Sequence, residues 1–338
     1  MKKRKPVALL AAILLFFACQ SDQPIPQSGN FDLVPLAEGV YACIHKFGGK
    51  AICNIGIVDT GEETLIFDTF ISPVVAKEIP VLVKKLGLSP IRYVVNSHWH
   101  NDHIRGNQVF SDEVELISTQ KTAELIQQNE PIEIADEKEY APVQFAYYDS
   151  LLQNYEGDTL DREYQRLLMW QPYFYAMMES HPILETRVPD SFVEDVRSIS
   201  GSDRELRLVA MGSAHTESDL VLYLPDDKIL FSGDLVFAGM HPYMAHGHLG
   251  GLKESLFTLQ QLEIEQVVPG HGPVSKKHAL ADMSSYIESL ESVASGFLQD
   301  SMTMEEASAM EIPEPFQDWW FDRFFARNLK FTFEALSD

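Results

Sequence analysis

Four side chains able to bind a metal fall within six residues: His98, His100, Asp102 and His103, in the run Asn96-Ser97-His98-Trp99-His100-Asn101-Asp102-His103. They follow directly on the apolar run Ile91–Val95, which reads as a short buried strand, so they sit on a loop at a strand's end. Packing imidazoles and a carboxylate this densely costs stability unless a cation compensates. Three later segments repeat the layout. Leu206–Met211 leads through Gly212-Ser213-Ala214 to His215, Ile229–Gly233 leads to Asp234, and Gln266–Pro269 leads through Gly270 to His271. Strand ends of one sandwich can converge at a single edge. Five His and two Asp gathered there suffice for two zinc ions sharing one carboxylate. Carboxylate and imidazole without thiolate suit zinc, manganese or iron.

The rest of the chain supplies the strands that such an edge needs. Val40–Ile44, Ile52–Val58 and Thr64–Phe67 alternate or run apolar with β-branched residues, and they read as antiparallel strands. A helix fits 72–86, on Val74, Val75, Ile79, Val83 and Leu86, with Pro80 expected to kink it. Leu220–Leu224 is a further strand, and helices fit 249–262 and about 275–298. Strands and helices therefore come in two rounds, before and after a middle segment at roughly 120–188. Two sheets packed together with helices outside follow from this order, a four-layer αββα sandwich.

The middle segment is helical and amphipathic. Phe145, Tyr148, Leu152 and Tyr155 keep 3–4 spacing, as do Leu160, Tyr164 and Leu167, then Trp170, Phe174 and Met177, with Pro172 expected to kink the last helix. The C-terminal stretch 313–335 is aromatic too, with Phe316, Trp319, Trp320, Phe324, Phe325 and Phe331. Both are read as helical additions whose aromatics pack on the core, a role compatible with a lid over the site.

A chain of 338 residues can hold two domains, or one large domain with additions. Its 45% apolar and 11% aromatic content excludes a disordered chain, and 19 Gly and 18 Pro without a repeat exclude a fibrous one. The formal charge is −24. Without Lys2, Lys3, Arg4 and Lys5 the remainder holds 22 basic against 50 acidic residues. Such a surface repels phosphate backbones, so nucleic acid is not an expected partner.

Those four basic residues precede the apolar run Val7–Ala18, which is too short for a comfortable span and suits a signal-peptide core. Phe16-Phe17-Ala18-Cys19 resembles a bacterial lipoprotein signal, with Phe16 where the usual pattern has Leu. The expected organisation is a signal peptide at 1–18 and a lipidated Cys19 with a tether to residue 30. A metal-site domain then covers 31–298, with its insertion at about 120–188, and a helical extension covers 299–338. Cys19 would hold the protein at a membrane of the bacterial envelope. Export means an oxidising compartment, where Cys43 and Cys53, flanking the Gly48-Gly49 turn, form either a disulfide or two half-buried thiols.

The ordered motifs resemble the metallo-β-lactamase fold superfamily of metallo-hydrolases. HxHxDH is present as His98, His100, Asp102 and His103. His215-Thr216 stands at the GxxHT position, Gly233-Asp234 at the family's GD, and Pro269-Gly270-His271-Gly272 at its PGHG. Asp68-Thr69 matches an early strand-end DT. The resemblance implies that His98, His100 and His215 hold a first metal and that Asp102, His103 and His271 hold a second, with Asp234 bridging. Asp68, and Asp219 with it, would orient ligands from behind. Two metals about 3.5–4 Å apart activate a water that attacks a carbonyl, phosphoryl or sulfuryl centre. The candidate catalytic residues are Asp102, Asp234 and Tyr243, the last as a donor to a developing oxyanion. His241, His246 and His248 are further candidates to line the pocket.

Departures from the family pattern narrow the activity. Zinc β-lactamases usually carry Cys or Ser where Asp234 stands. Glyoxalase-II-like thioesterases and persulfide dioxygenases usually follow their GD with a glycine- and cysteine-containing stretch, whereas Leu235-Val236-Phe237-Ala238-Gly239-Met240 follows here. Flavo-diiron oxidoreductases would have Glu at His100. The expectation is a dinuclear zinc hydrolase of a small ester, lactone, lactam or thioester. An iron-dependent oxidoreductase on the same ligands and a non-catalytic metal-binding envelope protein are the alternatives.

Overall fold

The computed structural model describes residues 26–300 and 310–337. The leader and Cys19 lie outside the described residues.

Two sheets face each other. The first holds seven strands in chain order, β1 (Phe31–Ala37), β2 (Val40–His45), β3 (Ile55–Asp59), β4 (Thr64–Phe67), β5 (Ile91–Val95), β6 (Glu115–Ser118) and β7 (Ser191–Phe192). The second holds five in the order β12 (Gln266–Val268), β11 (Ile229–Phe231), β10 (Asp219–Leu224), β9 (Glu205–Gly212) and β8 (Val196–Ser200). The strands read from the sequence are there, and the apolar runs are explained by burial of both faces. Along β10, Leu220, Leu222 and Leu224 enter the core between the sheets, while Val221 and Tyr223 pack outward against helices. β4 does the same, with Leu65 and Phe67 inward and Ile66 outward. Gly56 on β3 admits Phe231 of the facing sheet, whose ring would lie 2.7 Å from an added β-carbon.

Helices cover both outer faces. α1 (Pro73–Ala76) and α2 (Glu78–Leu86) pack on the first sheet. The single helix expected over 72–86 is two, divided at Lys77. Pro80 lies in the first turn of α2, where its missing N–H is not needed, so it kinks nothing. The short α3 (Asn101–Ile104) follows β5. On the second sheet lie α6 (Leu249–Gln260), α7 (His278–Asp300) and α8 (Phe324–Ser337). The middle segment forms α4 (Gln120–Gln153) and α5 (Arg162–Ser180), with Pro172 inside α5. The C-terminal extension is not helical throughout, because residues 310–323 lack helix and Trp320 makes a β-bridge to Met240.

Cys43 and Cys53 are buried free thiols, not a disulfide. Register explains this: Ile55, not Cys53, stands opposite Cys43 on the paired strands.

Candidate metal centre

The C-terminal ends of β5, β9, β11 and β12 meet at one edge of the sandwich. His98 and His100 follow β5, Asp102 and His103 lie on α3, His215 follows β9, Asp234 sits in the turn Gly233–Leu235 after β11, and His271 follows β12. All seven side chains converge. His98, His100, His215 and Asp234 form one group, and Asp102, His103 and His271 a second, each with donor atoms within 4.8 Å of one another. Asp234 faces both: Oδ2 lies 3.3 Å from His215 Nε2 and 3.8 Å from His98 Nε2, and Oδ1 lies 3.2 Å from His103 Nε2. Asp102 Oδ2 lies 3.3 Å from His271 Nε2.

The donor set fits a pair of cations. His103 Nε2 and Asp234 Oδ1 are buried without any hydrogen bond, an arrangement costly in a molecule that leaves them so. Gly270 makes room for the carboxylate, since a β-carbon there would stand 1.8 Å from Asp234 Oδ1.

The ring orientations are set from behind. Asp68 Oδ2 lies 2.8 Å from His103 Nδ1 and also accepts from Ser97 Oγ, while Oδ1 accepts from Ser97 N. This fixes His103 with Nε2 turned inward. Asp68 itself has φ 65°, a conformation those bonds hold in place. Asp219 accepts from the backbone N–H and hydroxyl of Thr216 and so braces the turn that carries His215.

Three contributors went unread in the sequence. Asn54 donates to the carbonyls of Pro269 and Gly272 and fastens the His271 loop. The Cys53 thiol donates to the Asp102 carbonyl at 2.8 Å. Arg105, fully buried, donates to Glu130 and Glu137 of α4 and ties the ligand loop to the insertion. Only Arg105 adjoins a motif, and none of these roles has a local signal, because each acts across the fold.

Electrostatics favour cations. Burial pushes His98 and His100 well below the ordinary imidazole value, so they are neutral donors. Burial opposes charge on His103 and His271 too, but there Asp234, Asp102 and, at His103, Asp68 prevail and raise both, His271 to about 9. Against the same burial, His103 and His271 hold Asp102 at about 2. A field that draws protons onto buried imidazoles equally draws metal ions.

The cluster forms the floor of a cavity of about 640 Å³. The insertion supplies one wall, through Tyr140, Met169, Trp170, Tyr173 and Phe174, and the C-terminal extension another, through Phe321 and Phe324. These aromatics both pack together and wall the site. Of the four loop candidates, Tyr243 and His246 line the cavity, and His246 Nδ1 stands 3.0 Å from His100 Nε2. His241 does not reach it: it is buried against Tyr286 OH at 3.0 Å. Nor does His248, which caps α6 by accepting from Gly251 N–H.

A double-sheet sandwich presenting this His/Asp cluster at one edge defines a class of metal-dependent hydrolases. The family model of the metallo-beta-lactamase superfamily matches residues 48–117 and 128–271, and the chain belongs to that superfamily. It is 25% identical over 245 residues to "Beta-lactamase-like protein 2 homolog" of Caenorhabditis elegans, covering 70% of this chain and 60% of that protein. It is 27% identical over 206 residues to "Probable metallo-hydrolase YqjP" of Bacillus subtilis (strain 168), covering 58% and 59% respectively. The chain thus spans about three fifths of the length of these curated relatives. In fold it is similar to a solved metallo-beta-lactamase from Pontibacter korlensis, with a TM-score of 0.54 and 20% identity over 77% of this chain and 99% of that one.

Proposed function

We propose that the protein is a dinuclear zinc hydrolase that cleaves a small ester, lactone, lactam or thioester. The observation that carries this reading is the set of seven donors, in two groups about Asp234, on the floor of an aromatic-walled cavity. His98, His100, His215 and Asp234 would hold one ion, and Asp102, His103, His271 and Asp234 the other. Bound there, two such ions supply an activated water and a Lewis acid for the scissile carbonyl.

The remaining work falls to the chain's own groups. The Asp102 side chain is 13% exposed against 4% for Asp234, so it is the carboxylate that can accept a hydrogen bond from the attacking water. With Nδ1 of His100 toward the first group, its Nε2–H donates to His246 Nδ1, which leaves His246 Nε2–H toward the Tyr243 hydroxyl, 3.5 Å away. The Tyr243 hydroxyl, its oxygen facing the His246 N–H, then presents its O–H as the donor to a developing oxyanion. The walls of Trp170, Tyr173, Phe174 and Phe321 exclude bulk water and favour an apolar substrate portion.

The basic and apolar leader ending at Cys19 supports export and anchoring at the bacterial envelope, and the acidity supports a small-molecule substrate over nucleic acid. The test is a panel of chromogenic esters, lactones, lactams and thioesters assayed with wild type and Asp234→Ala. The variant should lose roughly a thousandfold or more in turnover. Full activity in D234A would remove the bridging role.

A further inference from the structure

Two arginines of the C-terminal extension enter the wall of the metal cavity with no acidic partner among the described residues. Arg323 immediately precedes α8 and Arg327 lies one turn into it. The Arg323 guanidinium stacks over the Trp170 ring, 3.8 Å from its centroid, and that of Arg327 lies 5.4 Å from the centroid of Tyr243. Both side chains remain exposed at the cavity.

Their lack of partners is informative in a chain with 50 acidic and only 26 basic residues. Neighbouring arginines are engaged: Arg166 pairs with Asp322, and Arg162 donates to the carbonyls of Asp318 and Trp319. The acids on the opposite wall do not neutralise them either. Glu137 is held by Arg105, Asn101 and His181. Burial beside Glu130 pushes Glu133 up to about 8, and Asp136, exposed on that wall, makes no ion pair with either arginine among the described residues. What remains is a guanidinium pair above an aromatic wall, opening on the same space as Asp102, Asp234 and His271.

We propose that Arg323 and Arg327 form an anion-recognition site for the substrate, so that the protein takes a small hydrolysable molecule bearing a carboxylate beside an apolar or aromatic group. The proposal rests on the hydrolase reading for its reaction, but not for its recognition chemistry. A guanidinium offers paired donors that match a carboxylate, and stacking on Trp170 holds one fork in place before the ligand arrives. Both residues lie outside the stretch matched by the superfamily model, so this specificity would belong to the chain's own extension.

The test is calorimetric titration of the purified metal-loaded protein with 1-naphthoate and with 1-naphthylmethanol, which share the ring and differ in charge. Wild type should bind the carboxylate at least about tenfold more tightly, within the roughly ten- to hundredfold span of charge-assisted bonds. R323Q/R327Q should lose that preference, and R323K/R327K should keep part of it. Should the double variant fail to fold by circular dichroism, R327Q alone gives the same reading at smaller scale. Wild type that binds the two ligands alike, or neither, overturns the proposal. So does a preference that persists in the glutamine variants, as it would if the carboxylate sat on the metal ions. Absence of turnover across the hydrolysis panel would defeat the hydrolase reading without touching this titration.

Discussion

Replacing Gly270 by Ala puts the Asp234 assignment under direct strain. The new β-carbon would lie 1.8 Å from Asp234 Oδ1 and 2.9 Å from the carbonyl carbon of Gly233, where real contacts essentially never fall below 3.0 Å. The carboxylate or its loop must therefore give by at least 1.2 Å, the difference between 3.0 and 1.8 Å. Asp234 has little room to turn, with Oδ1 at 3.2 Å from His103 and Oδ2 at 3.3 Å from His215. Metal–ligand distances hold to about 0.2 Å, so the displacement is about six times the tolerance. Overpacking of this kind costs about 1–3 kcal/mol, which this fold should survive with a melting temperature lower by several degrees. Metal content by elemental mass spectrometry should drop from about two ions per chain to one or none, and turnover should fall by at least about a hundredfold. A folded G270A protein with wild-type metal content and wild-type turnover would refute the reasoning.

Other perturbations read other parts of the account. Asp68→Asn, which leaves His103 Nδ1 without its carboxylate, should weaken binding at the second metal position by about 10–100-fold in a competition titration with a chelator, and unchanged affinity would contradict its orienting role. Leu222→Ala, in the core between the sheets, should cost about 2–5 kcal/mol in denaturant unfolding, and a cost below about 1 kcal/mol would show that the sheets do not pack there. Glu133 is raised from 4.5 to about 8 by burial, so its protonated form belongs to the folded state. That contribution is whole below pH 4.5 and is lost as pH rises through about 8. Glu133→Gln should therefore lose less melting temperature than wild type between pH 5 and 9, and parallel losses would sink the assignment.

The parts legible in the sequence are those governed by local pattern. β4, β5, β11 and β12 coincide with the apolar runs read from the sequence, because β4 and β11 are buried throughout and β5 and β12 are buried at the ends that approach the site, and each of the last three leads directly into a ligand-bearing turn. β1 was obscured by Pro35 at the sheet's edge, and β8, Val-Arg-Ser-Ile-Ser, by polar residues on its solvent side. What failed was decided by register or by tertiary contact. Pairing sets Ile55, two residues beyond Cys53, opposite Cys43 and leaves both cysteines as thiols. His241 and His248 share a short segment with Tyr243 and His246, yet one turns into the core and one caps a helix. Arg105 follows the HxHxDH run and looks like a surface residue until α4 brings Glu130 and Glu137 to it. The arginines at 323 and 327 likewise gain meaning only when α8 is folded against the cavity.

The central proposal is a site for two zinc ions sharing Asp234. Elemental analysis of the protein purified without added metal measures this most directly. About two zinc ions per chain, falling to one or none in D234A while the fold persists, is the predicted result. Iron in their place, or no tightly bound metal with every ligand intact, would contradict it.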